Sequence, residues 1–463
     1  MWTAVPHAKN RIQSNNSPGT SGQNPHAYRP RSQSPPRNEP PDPSLTQPST
    51  FLSRISSTFQ PLGIRDYRRL LLSNTLWWQA MWMEMIVVGW LVLELTDSPF
   101  QVALVGFYRS IPLLIWGFFS GPVIDRVGRR RIMLISQSIN FTTSSTIAVL
   151  LWTDQLQFWH LCAAAFLMGT AWTFDWPARR SYLPDLVGKT RTVDAMLLEN
   201  FTSIISRIAG PFLGGRLIHD LGPTGTYVVL AVFSGVALVV LTRLSRLPLT
   251  TPVQTGNPFT AVVEGLRYVR RNQPIFGSFL ITIFMNYLTF SYMTLLPVFA
   301  RDILGQGPVG LGYLGMGNGI GAVLGMLVIN GIRGRVSNGL IFGIGSTVQA
   351  SALVAFSQSS VFWLSLVMLI CSGLGQAAFS VMQSAIVLTN SSDEMRSRAM
   401  GSIVLGIGAG PVGRLQVGAL AEYFGAPFAL GSQTLVCAIL CLSTTFLLHE
   451  FRRAREPDPS PAD

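Results

Sequence analysis

From Arg68 onward the chain alternates between apolar stretches about twenty residues long and short polar turns. A bilayer core ~30 Å thick takes about that length of helix, so each stretch is read as a membrane span. The pattern predicts spans near 70–95, 99–122, 131–153, 157–176, 192–219, 224–245, 275–299, 308–331, 338–357, 360–388, 399–422 and 427–448. The expected fold class is therefore an all-α membrane protein of twelve transmembrane helices. The longest internal connection, 246–274, divides them into a six-helix bundle over 61–245 and a second over 275–448. Inside that connection, Ala261 to Arg271 places apolar residues beside basic ones, the pattern of a helix lying on a membrane surface. Residues 1–60 are rich in Pro, Ser, Asn and Gln and have few apolar side chains to bury, so a disordered tail is expected; no apolar run there suggests a signal peptide. A short cytoplasmic tail is expected over 449–463.

Composition agrees with lipid as the solvent. Hydrophobic residues make up 48% and mean hydropathy is +0.37, while charged residues are 12%, about half the ~25% of an ordinary soluble domain. The net charge of +12 would suggest nucleic acid in a soluble protein. Here the basic residues are sorted by side. Alternate loops (125–131, 177–191, 243–273, 332–339, 393–398) hold 17 Lys and Arg, and the opposite loops hold one, Arg301. Translocating such residues is disfavoured, which places both termini in the cytoplasm of a multi-pass inner-membrane protein and removes any need for a nucleic-acid partner. The four cysteines lie in apolar stretches and the five histidines are scattered, so neither a disulfide scaffold nor a metal or cofactor site is expected.

The two halves echo one another. The fifth span carries Gly210-Pro211-Phe212-Leu213-Gly214-Gly215, and the eleventh carries Gly410-Pro411-Val412-Gly413. Repeats with interrupted helices at equivalent places point to a transporter whose substrate site lies between the halves at mid-membrane. Between spans two and three the chain reads Gly121-Pro122-Val123-Ile124-Asp125-Arg126-Val127-Gly128-Arg129-Arg130-Arg131. Gly121 would let a neighbouring helix approach. Asp125 and the arginines could latch the cytoplasmic side by pairing with carboxylates and helix ends, or could serve only as a topology anchor.

With spacing G-x-x-x-D-R-x-G-R-R from Gly121 to Arg130, this loop resembles that of the major facilitator superfamily. Leu93 to Pro99, Phe174 to Arg180 and Arg207 to Gly215 are similar to the branch that includes bacterial enterobactin exporters. The resemblance implies two pseudo-symmetric six-helix bundles, alternating access, and efflux often driven by proton antiport. In that superfamily the Gly-Pro motif matched at Gly210, Pro211, Gly214 and Gly215 is associated with antiporters. The second-half loop is reduced to Arg333-Gly334-Arg335 without an aspartate, and Arg414 is not expected from the general pattern.

A charge near mid-membrane costs at least ~2.5–3.5 kcal/mol on insertion scales, so each one needs a partner, a wet cavity or a function. At 1.5 Å per residue Glu84 lies roughly 21 Å from the cytoplasmic end of span one, and Arg109 roughly 15 Å from the outer end of span two. In antiparallel neighbours these depths nearly coincide, which predicts that the two meet. Burial favours the neutral acid and the guanidinium favours the carboxylate, the balance of a group that exchanges protons; a static ion pair or a substrate contact remain alternatives. Arg207 is similarly deep in span five, with Glu199 two turns away; both are further transport or proton-coupling candidates, since Arg207 could attract an anionic substrate or a proton-site carboxylate, or the two could simply pack together. Asp175, beside Arg179 and Arg180, is assigned to the cytoplasmic gate. Asn286, Tyr287, Gln376, Gln383 and Arg414 supply polar groups in the second half, for helix–helix bonding or for the cavity. Gly317, Gly321 and Gly325 form a smooth stripe, and Trp77, Trp78, Trp82 and Trp90 crowd span one, facing either a flat substrate or lipid.

Gly188-Lys189-Thr190 lacks the first glycine of a phosphate loop, Leu standing at 183, and no nucleophile with a nearby base is visible, so neither an ATPase nor a membrane enzyme is expected. The leading expectation is a monomeric, proton-coupled exporter of a small amphipathic molecule, siderophore or drug-like. The alternatives are lysophospholipid movement, facilitated uptake, or a non-transporting sensor on the same scaffold.

Overall fold

The computed structural model describes residues 59–245, 258–392 and 394–454. Most of the expected N-terminal tail, residues 246–257 of the connection and residues 455–463 lie outside the described residues.

Helix boundaries follow local chemistry. α1 (Arg65–Thr96) stops at Asp97, whose φ of 53° is left-handed, and α2 (Pro99–Trp116) starts on the Ser98 side chain, which accepts from the Gln101 N–H, with proline in the first turn. α3 (Ser120–Val127) ends at Gly128, where a φ of 95° suits only glycine, and α4 (Arg129–Trp152) begins there. α5 (Phe158–Val187) follows. α6 (Thr192–Thr242) is two helices joined across Gly222. After α7 (Pro258–Arg271), α8 (Gln273–Phe284) passes through π turns on either side of α9 (Tyr292–Val298). The chain closes with α10 (Pro308–Ile332), α11 (Asn338–Ser357), α12 (Phe362–Asn390), α13 (Arg396–Ile407), α14 (Gly410–Phe424), α15 (Ala426–Leu447) and α16 (His449–Arg453).

Nine described segments have the length and apolar composition of a membrane span. One of them holds two helices, and α4 and α5 are long but more polar, so the order of helices is consistent with the twelve expected. α5 departs from expectation: it runs through Pro177 and Pro184 to Val187 instead of ending at 176. Interior prolines usually end a helix. Here the extra turns are held from the side, since Arg179 and Tyr182 are buried and the Tyr182 hydroxyl donates to the Ser245 carbonyl at 2.6 Å. The amphipathic α7 does not lie free on a surface. It packs on α13, with Val269 buried and Glu264 paired to Arg398 at 2.7 Å, although Val263 stays exposed. The glycine stripe of α10 meets α12, where a side chain at Gly321 would overlap the Ile370 carbonyl.

The two halves touch along α6–α10 and α2–α14 and close tightly at the end opposite the arginine-rich turns. There Arg301 bonds Asp97 and donates to the Leu93 carbonyl at 3.0 Å, capping the C-terminus of α1. Glu422 accepts from the Ser98 hydroxyl at 2.9 Å and the Phe100 N–H at 3.1 Å, capping the N-terminus of α2. Each charge complements the dipole of the helix end it meets across the halves. Just inside, Gly89 lies against Pro297 of α9 and forms a roof.

Candidate functional site

Beneath that roof the halves enclose a cavity of about 380 Å³. Helical periodicity assembles its wall: Trp78, Met81, Trp82 and Met85 share one face of α1, Val102, Val105, Arg109 and Leu113 one face of α2, and Asn286, Phe290, Met293 and Thr294 one face across the π turn. α5 contributes Trp172 and α14 contributes Arg414. The wall is mostly apolar, with aromatic and thioether side chains among aliphatic ones and glycines, and carries a few convergent polar groups.

Glu84 and Arg109 meet in an ion pair, as their depths predict, with Glu84 3% exposed and Arg109 21%. Arg109 faces the main cavity; Glu84 faces a second pocket of about 20 Å³, shared with Arg109, Asn140, Ser144, Ser234, Trp77 and Trp172. That volume suits about one water, and its polar lining supplies hydrogen-bond partners for one. Arg109 thus stands between the two spaces, and the Glu84 carboxylate itself stays off the wall of the main cavity.

The sequence left Arg414 without a partner, and the structure supplies one from the other half: its guanidinium donates to the Ser110 hydroxyl at 2.6 Å, its stem crossing α2 at Gly106. Among the described residues no carboxylate pairs with it, and the other charge acting on it is Arg109.

Several expected placements change. Arg207 does not pack with Glu199: it donates to Asn318 of α10 at 2.8 Å and stands over the Trp82 ring at 5.3 Å, a strut between halves behind the cavity wall. Eight residues put the two on similar faces, but 12 Å of rise on the scale of ~1.5 Å per residue keeps them apart. Glu199 instead accepts from Asn74 at 3.3 Å. Asp175, assigned to the gate, is fully buried and pairs with Arg179 at 2.9 Å. Arg179 also donates to Asn74 at 2.6 Å and to Ser73 and Gln137 at 3.3 Å, and stacks over Trp77. This interior network, not a loop, absorbs an arginine that was counted as a topology anchor.

At the surface loop, Arg129 pairs with Asp185 and Arg130 donates to the Thr242 carbonyl at 2.6 Å, while Arg126 is exposed and Asp125 half-buried. Gly121 is exposed, and among the described residues nothing lies within 4 Å of where its side chain would stand, so no helix makes the close approach expected there. The helix-five motif packs twice. Gly210 and Gly214 seat α6 against Trp82 and Met83 of α1, and Pro211 and Gly215 seat it against Gly312 and Pro308 of α10. Asn286 lines the cavity and donates to the Thr282 carbonyl; Gln383 bonds the Thr282 hydroxyl at 2.8 Å, and Tyr287 and Gln376 lie away from the cavity wall. The tryptophans of α1 do not face lipid: Trp78 and Trp82 line the cavity, and Trp77 and Trp90 are buried. Trp172, Ser110 and Met293 carried no distinguishing signal in the sequence.

A family profile described as transmembrane secretion effector matches residues 56–461. The multidrug efflux pump Tap of Mycobacterium tuberculosis is 25% identical over 395 residues, covering 81% of this chain and 92% of its own. The staphyloferrin A transporter of Staphylococcus aureus is 23% identical over 350 residues, covering 74% of this chain and 86% of its own. Among solved structures, the nucleoside transporter NupG superposes with a TM-score of 0.68 at 13% identity, over 83% of this chain and 100% of that one. An inward-facing, unoccupied bacterial homologue of the human lysosomal transporter Spinster gives 0.67 at 12% identity, over 84% and 98%.

Proposed function

The chain belongs to the transmembrane secretion effector family of the major facilitator superfamily, and from that membership we propose that it exports a small amphipathic molecule, drug-like or siderophore-like, by alternating access. The observation that carries this reading is the cavity of about 380 Å³ built from both halves and closed at one end by contacts between them. The arginine-rich turns mark the cytoplasmic side, and both termini lie there, so the closed end is the outer gate and the conformation faces inward. The protein acts as a monomer in the inner membrane.

Proton entry supplies the drive at Glu84. With the outer gate open, a proton taken up through the small pocket neutralises the carboxylate and releases Arg109; with the gate closed, the proton leaves to the cytoplasm and the ion pair re-forms. The cost of a bare charge in the bilayer interior links protonation to the arrangement of the two side chains. The relatives named as efflux pumps support export, and the Gly-Pro motif between α1 and α10 supports exchange.

The test uses proteoliposomes with an imposed pH gradient and a panel of anionic, neutral and cationic dyes. Wild-type protein is expected to move at least one dye against its gradient. Glu84→Gln is expected to keep dye exchange down a gradient while losing the response to pH. A wild-type pH response in Glu84→Gln removes the coupling role; no movement of any dye by folded wild-type protein removes the export reading.

A further inference from the structure

The charges around the cavity do not balance. Glu84 and Arg109 neutralise each other within the first half. Arg414, from the second half, reaches the same cavity, and among the described residues its hydrogen-bond partner is the neutral Ser110 hydroxyl. Arg207 adds positive charge behind Trp82, held by the neutral Asn318. Among the described residues no acidic side chain lines the wall of this cavity. A guanidinium in such a place, at mid-membrane, calls for a compensating anion.

We propose that the cargo is an amphipathic anion whose carboxylate, sulfonate or phosphate docks on the Arg414 guanidinium, displacing or joining Ser110, while its apolar body lies against Trp78, Trp82, Trp172 and Phe290. The residue arrangement suits this division. Arg414 belongs to the half opposite the Glu84–Arg109 pair, so it can hold an anion without breaking that pair. A planar guanidinium binds such oxyanions through two parallel hydrogen bonds, and it approaches α2 closely because Gly106 carries no side chain. An anion there offsets the Arg414 charge, which lowers the cost of passing through the closed, water-poor intermediate. An inside-negative membrane potential then favours outward movement of the anion. The proposal rests on the reading of the cavity as the transport path, but not on proton coupling.

A matched pair of dyes tests it: anilinonaphthalene sulfonate and N-phenylnaphthylamine share an apolar body and differ in the sulfonate. Binding to purified full-length protein is read by energy transfer from the cavity tryptophans, with displacement by a non-fluorescent naphthalene sulfonate defining the specific component, and transport is read in proteoliposomes. Wild-type protein is expected to prefer the sulfonate about tenfold or more, the scale of one charge-assisted contact. Arg414→Gln should remove that preference with little change for the neutral dye, and Arg414→Lys should restore part of it. Equal affinity for the two dyes in wild type, a preference for a cationic dye, or an unchanged sulfonate preference in folded Arg414→Gln would each overturn the proposal. Specific binding without dye movement would leave the anion site standing and count against transport alone.

Discussion

Replacing Gly215 by alanine tests whether the contact between α6 and α10 holds the outer gate shut. A methyl group at this position would overlap the Pro308 carbonyl oxygen and stand 3.0 Å from the Gly312 Cα, and both neighbours belong to the other half. The clash is with backbone, so it is relieved only by moving the halves apart. Overpacking of this kind costs ~1–3 kcal/mol. Because the contact is lost when the outer gate opens, the cost falls on the inward-facing state alone and shifts the equilibrium outward by roughly 5- to 150-fold, at 1.4 kcal/mol per factor of ten. Gly214→Ala is the control: its neighbours, Met83 and Val87, lie in the same half, so both states carry the strain alike. Accessibility reports the shift. With the four native cysteines replaced, Val105→Cys, 3% exposed beneath the roof, is labelled by an impermeant maleimide from the outer face of right-side-out vesicles. Gly215→Ala should raise the labelling rate at least fivefold and Gly214→Ala should not. Equal rates in all three folded proteins, or a slower rate in Gly215→Ala, would show that this contact does not set the balance.

Glu422→Gln weakens the cap on α2 while keeping its shape, and is expected to raise outer labelling of Val105→Cys a few-fold, with less effect at high salt, since the carboxylate is exposed. Arg179→Ala leaves Asp175 without its buried cation and is expected to destabilise the protein by ~3–5 kcal/mol, read as a lower unfolding temperature in detergent; an unchanged temperature would mean that the network relaxes or admits water.

What could be read from the sequence, and what could not, divides along the two halves. The helices themselves were legible because lipid forces length and apolarity on each span, and Glu84 with Arg109 was legible because rise per residue fixes depth and consecutive antiparallel helices are neighbours. The same reasoning failed for Arg207, whose partner Asn318 is 111 positions away, and had nothing to offer for Arg414, whose partner Ser110 is 304 positions away. Both bonds cross between halves, and no periodicity within one helix reports how two bundles dock. The extension of α5 past two prolines was hidden for a related reason: the side chains of Arg179 and Tyr182 stabilise those turns through contacts with α1, α4 and the end of α6. A partner in the same half was thus necessary but not sufficient: Glu84 finds Arg109 on the next helix, whereas Glu199–Asn74 and Arg179–Asn74, also within one half, join helices that do not follow one another. A carrier that alternates between two states must remake its cross-half contacts in every cycle. The bonds hidden from the sequence, Arg207–Asn318, Arg414–Ser110, Arg301–Asp97 and Glu422–Ser98, are therefore the ones that substitution should most readily convert from a change in stability into a change in which side of the membrane the cavity faces.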